Sequence, residues 1–390
     1  MRNHGIALKL VVALLLVVTC SKDVGAKGLN LPDISAEQFR KYLVNPKPVL
    51  RGKPVEALTT LKPEVYPRAA PLPGSVLNER GLWEIGIAIG RNEDERLHMN
   101  FVLIPGGRFF MGSPDGSKKR INLEGGVLRD DRRPEEGREA DEGPVHEVML
   151  SGYWIGKYEV TNEQYRLFKP NHRSGSFRGY TLNRNDQPAV RVSWEEAHAY
   201  ALWLTRNDKR GLRFQLPTEA EWEYACRART QGAKSWQEEA GAPCEYANLH
   251  DVAPRREDRY AQPHQACEDR YVVTSPVGSL SANDFALHDL LGNVSEWCAD
   301  WYDRTFYGRK AARGRNPLCT NNLSRCRVLR GGAWSLGPRF ARSAKRERYG
   351  PQARFNYVGF RLVLRSLEEE HKGRIEFSHR RIQTRLRMKL

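Results

Sequence analysis

The stretch 229–290 limits what this chain can fold into more than any other part of it. It carries many turn residues and little hydrophobic periodicity, so neither a helix nor an alternating strand accounts for it. An irregular segment of that length inside a folded chain needs staples, because its backbone polar groups gain little from helix or sheet. Cys244 and Cys267 fall within it, and they and metal ions are the candidate staples.

The flanks read more regularly. Phe101–Ile104, then Pro105-Gly106-Gly107, then Arg108–Met111 predicts a β-hairpin. Val145–Leu150 and Tyr153–Val160 predict further strands on the far side of a polar loop, 114–143. Two capping boxes predict helices: Ser193-Trp-Glu-Glu196, with Ala197, Ala201 and Leu204 on one face, and Thr218-Glu-Ala-Glu221 after Pro217. Val328–Arg330 and Gly359–Val363 predict late strands. The balance is α+β with a minority of helix and much loop.

Arg2 and Lys9 precede an apolar run, Leu10–Val18, that is short for a bilayer span, and Val24-Gly25-Ala26 has the form of a signal-peptidase site. Lipoprotein anchoring at Cys20 is the rival reading, disfavoured because Thr19 stands where Ala or Gly is expected. The expectation is a periplasmic or secreted protein with no transmembrane span. Its parts would be a signal peptide (1–26), an N-terminal extension (27–95), a main domain (96–365) and a basic C-terminal tail (366–390). Within the extension, Ser35-Ala-Glu-Gln38 starts a short helix to Leu43, and Pro46–Pro73 reads as extended, surface-wrapping chain.

The 390 residues carry a formal charge of +16, which raises nucleic acid as a partner. The basic residues are interleaved with acids, as in Arg129–Glu142, and no nucleic-acid-binding signature is present; the one local excess is Lys372–Lys389. Nucleic acid is therefore excluded in favour of a solvated surface or a weak contact with an anionic one. Removing the leader leaves Cys226, Cys244, Cys267, Cys298, Cys319 and Cys326. An even set without CxxC in an oxidising compartment reads as disulfide candidates rather than a zinc site, with connectivity open.

The short motifs resemble, in order, the sulfatase-modifying-factor (formylglycine-generating-enzyme-type) family. They are Ile104-Pro-Gly-Gly107 with Met111-Gly112, Tyr158-Glu-Val-Thr-Asn162, Pro188-Ala-Val190 with Val192-Ser-Trp194, and Leu216-Pro-Thr-Glu-Ala-Glu-Trp-Glu-Tyr224. Gly292-Asn-Val-Ser-Glu-Trp297, Arg330-Gly-Gly-Ala-Trp334 and Gly359-Phe-Arg361 complete the series. The resemblance implies a modified C-type-lectin-like fold, and one fold hosts several activities. Members that make formylglycine resemble copper oxidases with two thiols shortly after the Arg-Gly-Gly segment, thiolates being soft ligands for Cu(I). Here Ala333–Ser343 holds no cysteine, and Cys319 and Cys326 lie before the motif, so copper is not expected. Another branch, the sulfoxide synthases, uses three His ligands for iron; His146, His198, His250, His264 and His288 show no ligand spacing and read as surface or loop residues.

The resemblance also implies structural calcium. One set of ligands would be Asn248, the Leu249 carbonyl, Asp269 and the Tyr271 carbonyl. The other would be Asp289, the Gly292 and Val294 carbonyls and Glu296, set against the alternative that Asp289 and Glu296 simply hydrogen-bond the turn. Cys244 would pair with Cys267, Cys298 with Cys326 or Cys319, and Cys226 with whichever is left. Three functions stay open. The first is a maturation or accessory factor with a protein or small-molecule partner in the exported compartment, as in thiol-free members that resemble proteins tailoring a secreted siderophore. The second is a lectin-like binding module using Trp334, Arg339, Phe340, Arg342 and Arg346, with Arg348 and Tyr349, residues that could equally be core. The third is a genuine metal-dependent oxidase with atypical ligands.

Overall fold

The computed structural model describes residues 70–90, 97–116, 120–123, 126–129, 133–236, 243–251 and 267–366, with backbone alone for 120–123, 126–129 and 366. The leader, Cys20, the expected Ser35–Leu43 helix, most of the Pro-rich stretch, His264 and the tail beyond Ser366 lie outside these residues.

Alternating burial in Trp83–Ile89 lays one face of that strand on the core, and Leu97–Ile104 pairs with it antiparallel. Both belong to a six-stranded sheet in the spatial order Val76–Leu77, Trp83–Ile89, Leu97–Ile104, Tyr153–Gly156, Val363–Ser366, Leu212–Gln215. The last part of the 27–95 segment thus belongs to this sheet. A four-stranded sheet orders Glu347–Tyr349, Arg327–Arg330, Ser295–Trp301 and Val358–Gly359, the final pair parallel. Three more strands, Gly314–Arg315, His146–Leu150 and Gly107–Met111, form another sheet.

Two local expectations are corrected by this topology. Leu97–Ile104 and Gly107–Met111 do not form a hairpin; the first pairs with Tyr153–Gly156 and the second with His146–Leu150. The Pro105-Gly106 turn passes the chain between sheets because Tyr224 pins it: its hydroxyl donates to the Pro105 carbonyl at 3.2 Å, and a Cβ on Gly107 would lie 2.7 Å from the same hydroxyl. The segment 359–363 is likewise divided, Gly359 pairing with Glu296 and Val363 with Ile155.

The helices follow their caps. α1 (Asn162–Arg166) starts at Thr161, α2 (Trp194–Asn207) at Ser193 and α3 (Glu219–Arg227) at Thr218, each with a reciprocal capping box. In α2, Ala197, Tyr200, Ala201 and Leu204 are buried, and they join a core with Ile85, Phe101 and Phe214 of the six-stranded sheet. Every residue of α3 is buried, so its charged side chains need internal partners. Trp194 and Trp301 close on Arg327 from opposite sides, each ring centroid 3.6 Å from the guanidinium carbon, which fastens α2 to the four-stranded sheet.

Within 229–290 the only regular element among the described residues is the 3-10 turn Pro243–Glu245. Cys244 and Cys267 are disulfide-bonded, their Cα atoms 6.0 Å apart. The other expected pairings are not present: Cys226, Cys298 and Cys319 are buried free thiols and Cys326 is half-buried and free. Cys319 and Cys326 are instead fixed through their backbones, their carbonyls accepting from Trp301 N and Tyr302 N.

Candidate functional site

The turn before Ser295–Trp301 gathers most of the expected calcium residues. Asp289, Gly292 and Asn293 all have positive φ, and a Cβ on Gly292 would lie 2.4 Å from the Asn248 carbonyl oxygen, so only glycine fits there. Asn293 donates its backbone N–H to that same carbonyl at 2.8 Å. Its side-chain oxygen accepts from Ser275 N at 3.0 Å, and its amide donates to Glu159 Oε1 at 3.1 Å. The two expected ligand sets are therefore neighbours, joined through Asn293.

In the first set, Asp269 accepts from Leu249 N at 2.9 Å and Tyr271 N at 2.8 Å, and Asn248 donates to the Val273 carbonyl. The buried Asn248 Oδ1 has no hydrogen-bond partner among the described residues. In the second set, Asp289 Oδ2 accepts from Gly278 N at 2.7 Å while Oδ1 is buried without a partner. Glu296 is occupied: Arg361 donates to both of its oxygens at 2.7–2.9 Å, and Trp222 Nε1 donates at 2.9 Å. Burial raises the Asp289 carboxyl, and it holds the Glu159 carboxyl well above the usual range, where the Asp289 charge adds to it. No group of three His, Cys, Asp or Glu among the described residues is arranged to hold a metal. Calcium, however, also takes carbonyl, amide and hydroxyl oxygens, and unpartnered buried oxygens of that kind are what this turn contains.

The expected binding surface is corrected. Trp334, Arg342 and Arg346 are buried, Phe340 is half-buried, and Arg339 and Arg348 are exposed. The arginines turn inward because buried carboxylates await them: Arg346 forks onto Glu219 at 2.7 and 2.9 Å, and Arg342 reaches Glu142 at 2.5 Å and Glu135 at 3.0 Å. Arg330 bridges Glu219 and Glu223, and Arg227 adds a 2.9 Å contact to Glu223. Sequence reasoning missed this lattice, although Glu219, Glu223 and Arg227 stand four residues apart on one helix.

Ser343, in the segment without cysteine, lies against a thiol from elsewhere: Cys226 Sγ is 3.6 Å from Ser343 Oγ. Burial pushes the Cys226 thiol up to about 12, the Cys319 thiol to about 11, and the Cys298 thiol well up. His146, expected in a loop or at the surface, begins a buried strand, where desolvation lowers it to about 4. His198 stacks on Trp194, and His288 lies against the Leu280 carbonyl.

A family model described as a sulfatase-modifying factor enzyme 1-like domain matches residues 89–366. The chain belongs to that family. This sulfatase-modifying-factor domain is 27% identical to a formylglycine-generating enzyme of Thermomonospora curvata, over 70% of this chain and 96% of that protein. It is 30% identical to a protein of Chlamydia caviae named serine/threonine-protein kinase pkn1, over 68% of this chain but only 38% of the kinase's length. The solved structure of PvdO from Pseudomonas aeruginosa superposes on the domain with a TM-score of 0.55 at 29% identity, covering 72% of this chain and 98% of PvdO. The fold is the α+β, formylglycine-generating-enzyme type that the motifs imply. Among the described residues no helix is long and apolar enough to cross a membrane.

Proposed function

We propose that this sulfatase-modifying-factor domain is an exported maturation or accessory factor that works by binding a partner, not a copper oxidase. The observation that carries the reading is the chemistry of its sulfur. Ala333–Ser343 has no cysteine, and burial keeps the free thiols of Cys226, Cys298 and Cys319 protonated, whereas Cu(I) is held by thiolates. The leader pattern and the Cys244–Cys267 disulfide support an oxidising compartment. Structural calcium at Asn248–Tyr271 and Asp289–Glu296 belongs to the same reading and is supported by the unpartnered Asn248 and Asp289 oxygens.

A recognition surface in place of the expected one is supported by half-buried aromatics around Trp334. Phe177 packs edge-on at 5.1 Å from it, and Tyr180 and Tyr357 join the same cluster, with Arg178 over the Phe177 ring. Such a face suits a planar or anionic group. The test is metal analysis of the purified mature protein together with oxygen uptake on a thiol peptide. Absence of copper and of uptake is expected; near-stoichiometric copper with uptake would overturn the proposal.

A further inference from the structure

The segment 304–325 carries six cations, Arg304, Arg309, Lys310, Arg313, Arg315 and Arg325, and neither Asp nor Glu. All six are exposed. Arg309 meets Asp303 at 3.0 Å, while Arg304, Lys310, Arg313 and Arg325 have no carboxylate partner among the described residues. The buried arginines behave differently, since Arg330, Arg342 and Arg346 each reach a glutamate. The same segment holds Leu318 and Leu323, 43% and 84% exposed, and Leu323 is the most exposed large apolar side chain among the described residues.

These side chains stand on an anchored frame. Phe306, Tyr307, Ala312 and Cys319 turn inward and join the main core. Gly314–Arg315 pairs parallel with His146–Leu150 at the edge of the three-stranded sheet. Asn316 fastens that edge, donating its backbone N–H to the Met149 carbonyl and accepting from Ser151 N, both at 2.8 Å. Asp303 ties the two ends of the segment together, because the oxygen that Arg309 reaches also accepts from Asn321 Nδ2 at 2.8 Å. The Ser324 hydroxyl donates to the Tyr302 carbonyl at 2.5 Å. The turn with Arg304 and Arg309 is therefore a neighbour of the turn with Leu323 and Arg325.

Water and counterions would suffice for the cations alone, and a soluble polyanion would answer them too, but neither gives the leucines a partner. A bilayer with anionic headgroups answers both, with phosphates for the cations and the edge of the acyl layer for the apolar tip. Long Lys and Arg stems suit that boundary, since their heads stay at the charged level while the stems lie against apolar matter. We infer that 304–325 is a peripheral docking surface for an anionic phospholipid membrane. Lys310, Arg313 and their neighbours hold the headgroups, and Leu323 enters the interface. Docking of this kind needs no spanning helix, and it is independent of the copper and calcium readings above.

The full mature protein is sedimented with phosphatidylcholine vesicles, with and without phosphatidylglycerol, and binding to heparin is measured beside it. Wild type should bind the phosphatidylglycerol vesicles and leave the neutral ones. Lys310→Gln with Arg313→Gln should weaken vesicle binding by roughly tenfold to thirtyfold, at about fivefold for each charge near an anionic surface. Leu323→Ser should weaken it by roughly threefold to tenfold while heparin binding stays at the wild-type level. The substituted positions are exposed, and unchanged melting temperatures will show that the variants are folded. The basic stretch Lys372–Lys389 is present in every protein compared, so vesicle binding that survives the double substitution would assign the affinity elsewhere and overturn the inference. No binding to phosphatidylglycerol vesicles would overturn it as well. Equal losses for vesicles and heparin in the double variant, with Leu323→Ser changing neither, would replace the membrane with a soluble anionic partner.

Discussion

Two regions of this domain bury charge to the same depth and settle it differently. Around α3, Glu219 and Glu223 meet Arg227, Arg330 and Arg346, so each carboxylate has guanidinium partners supplied by the chain itself. Around Asn293, Glu159 and Asp289 keep oxygens that nothing among the described residues answers. In the first region every carboxylate is answered by arginine, though Arg330 Nε stays without a partner among the described residues; in the second the unanswered atoms are carboxylate oxygens. Burial alone therefore does not say whether a charge is neutralised. What differs between the two regions is whether each buried carboxylate meets a cation supplied by the chain.

The comparison breaks most visibly at Arg330. Replacing it with Met leaves Glu219 and Glu223 short of a partner in the interior and should cost about 3–5 kcal/mol in urea unfolding. A loss near zero would mean the α3 lattice is as loosely satisfied as the Asn293 turn. Next in size is cation removal: with calcium at ~100 times its dissociation constant, bound metal stabilises by about 2.7 kcal/mol, so EGTA should lower the melting temperature visibly. An unchanged melting curve would count against both calcium sets.

A smaller effect should appear in pH dependence. Burial, with the Glu219 charge adding to it, raises the Asp300 carboxyl from 3.8 to about 7. Its contribution to stability is present below the unfolded value and is lost as pH rises through the folded one. His146 and His172, lowered by burial to about 4, run the other way, so the difference between wild type and Asp300→Asn isolates the term. That difference should change between pH 4 and 7 and be flat above that window. The smallest effect is expected at Ser275, whose buried hydroxyl has no partner. In EGTA, Ser275→Ala should shift stability by less than about 1 kcal/mol; a larger loss would show that the hydroxyl is already satisfied.

The sequence made legible what is settled within a few residues. The Ser193 and Thr218 capping boxes start their helices where expected, because the cap and its partner stand three positions apart. The Thr161 box has the same form and was readable by the same rule. What could not be read was set by distant partners. Arg342 and Arg346 look like surface arginines until Glu142, 200 residues away, and Glu219, 127 away, draw them inward. Glu159 is one letter in a motif until Asn293, 134 residues later, reaches it. The hairpin expectation failed for the same reason: periodicity locates strands but not their neighbours.

The position of Val363–Ser366 has a consequence for how the sheet assembles. This strand lies between Tyr153–Gly156 and Leu212–Gln215, so two earlier strands meet only through one that follows both in the chain. Until it pairs, Leu212–Gln215 has no neighbour in this sheet, and the layer ends at Tyr153–Gly156.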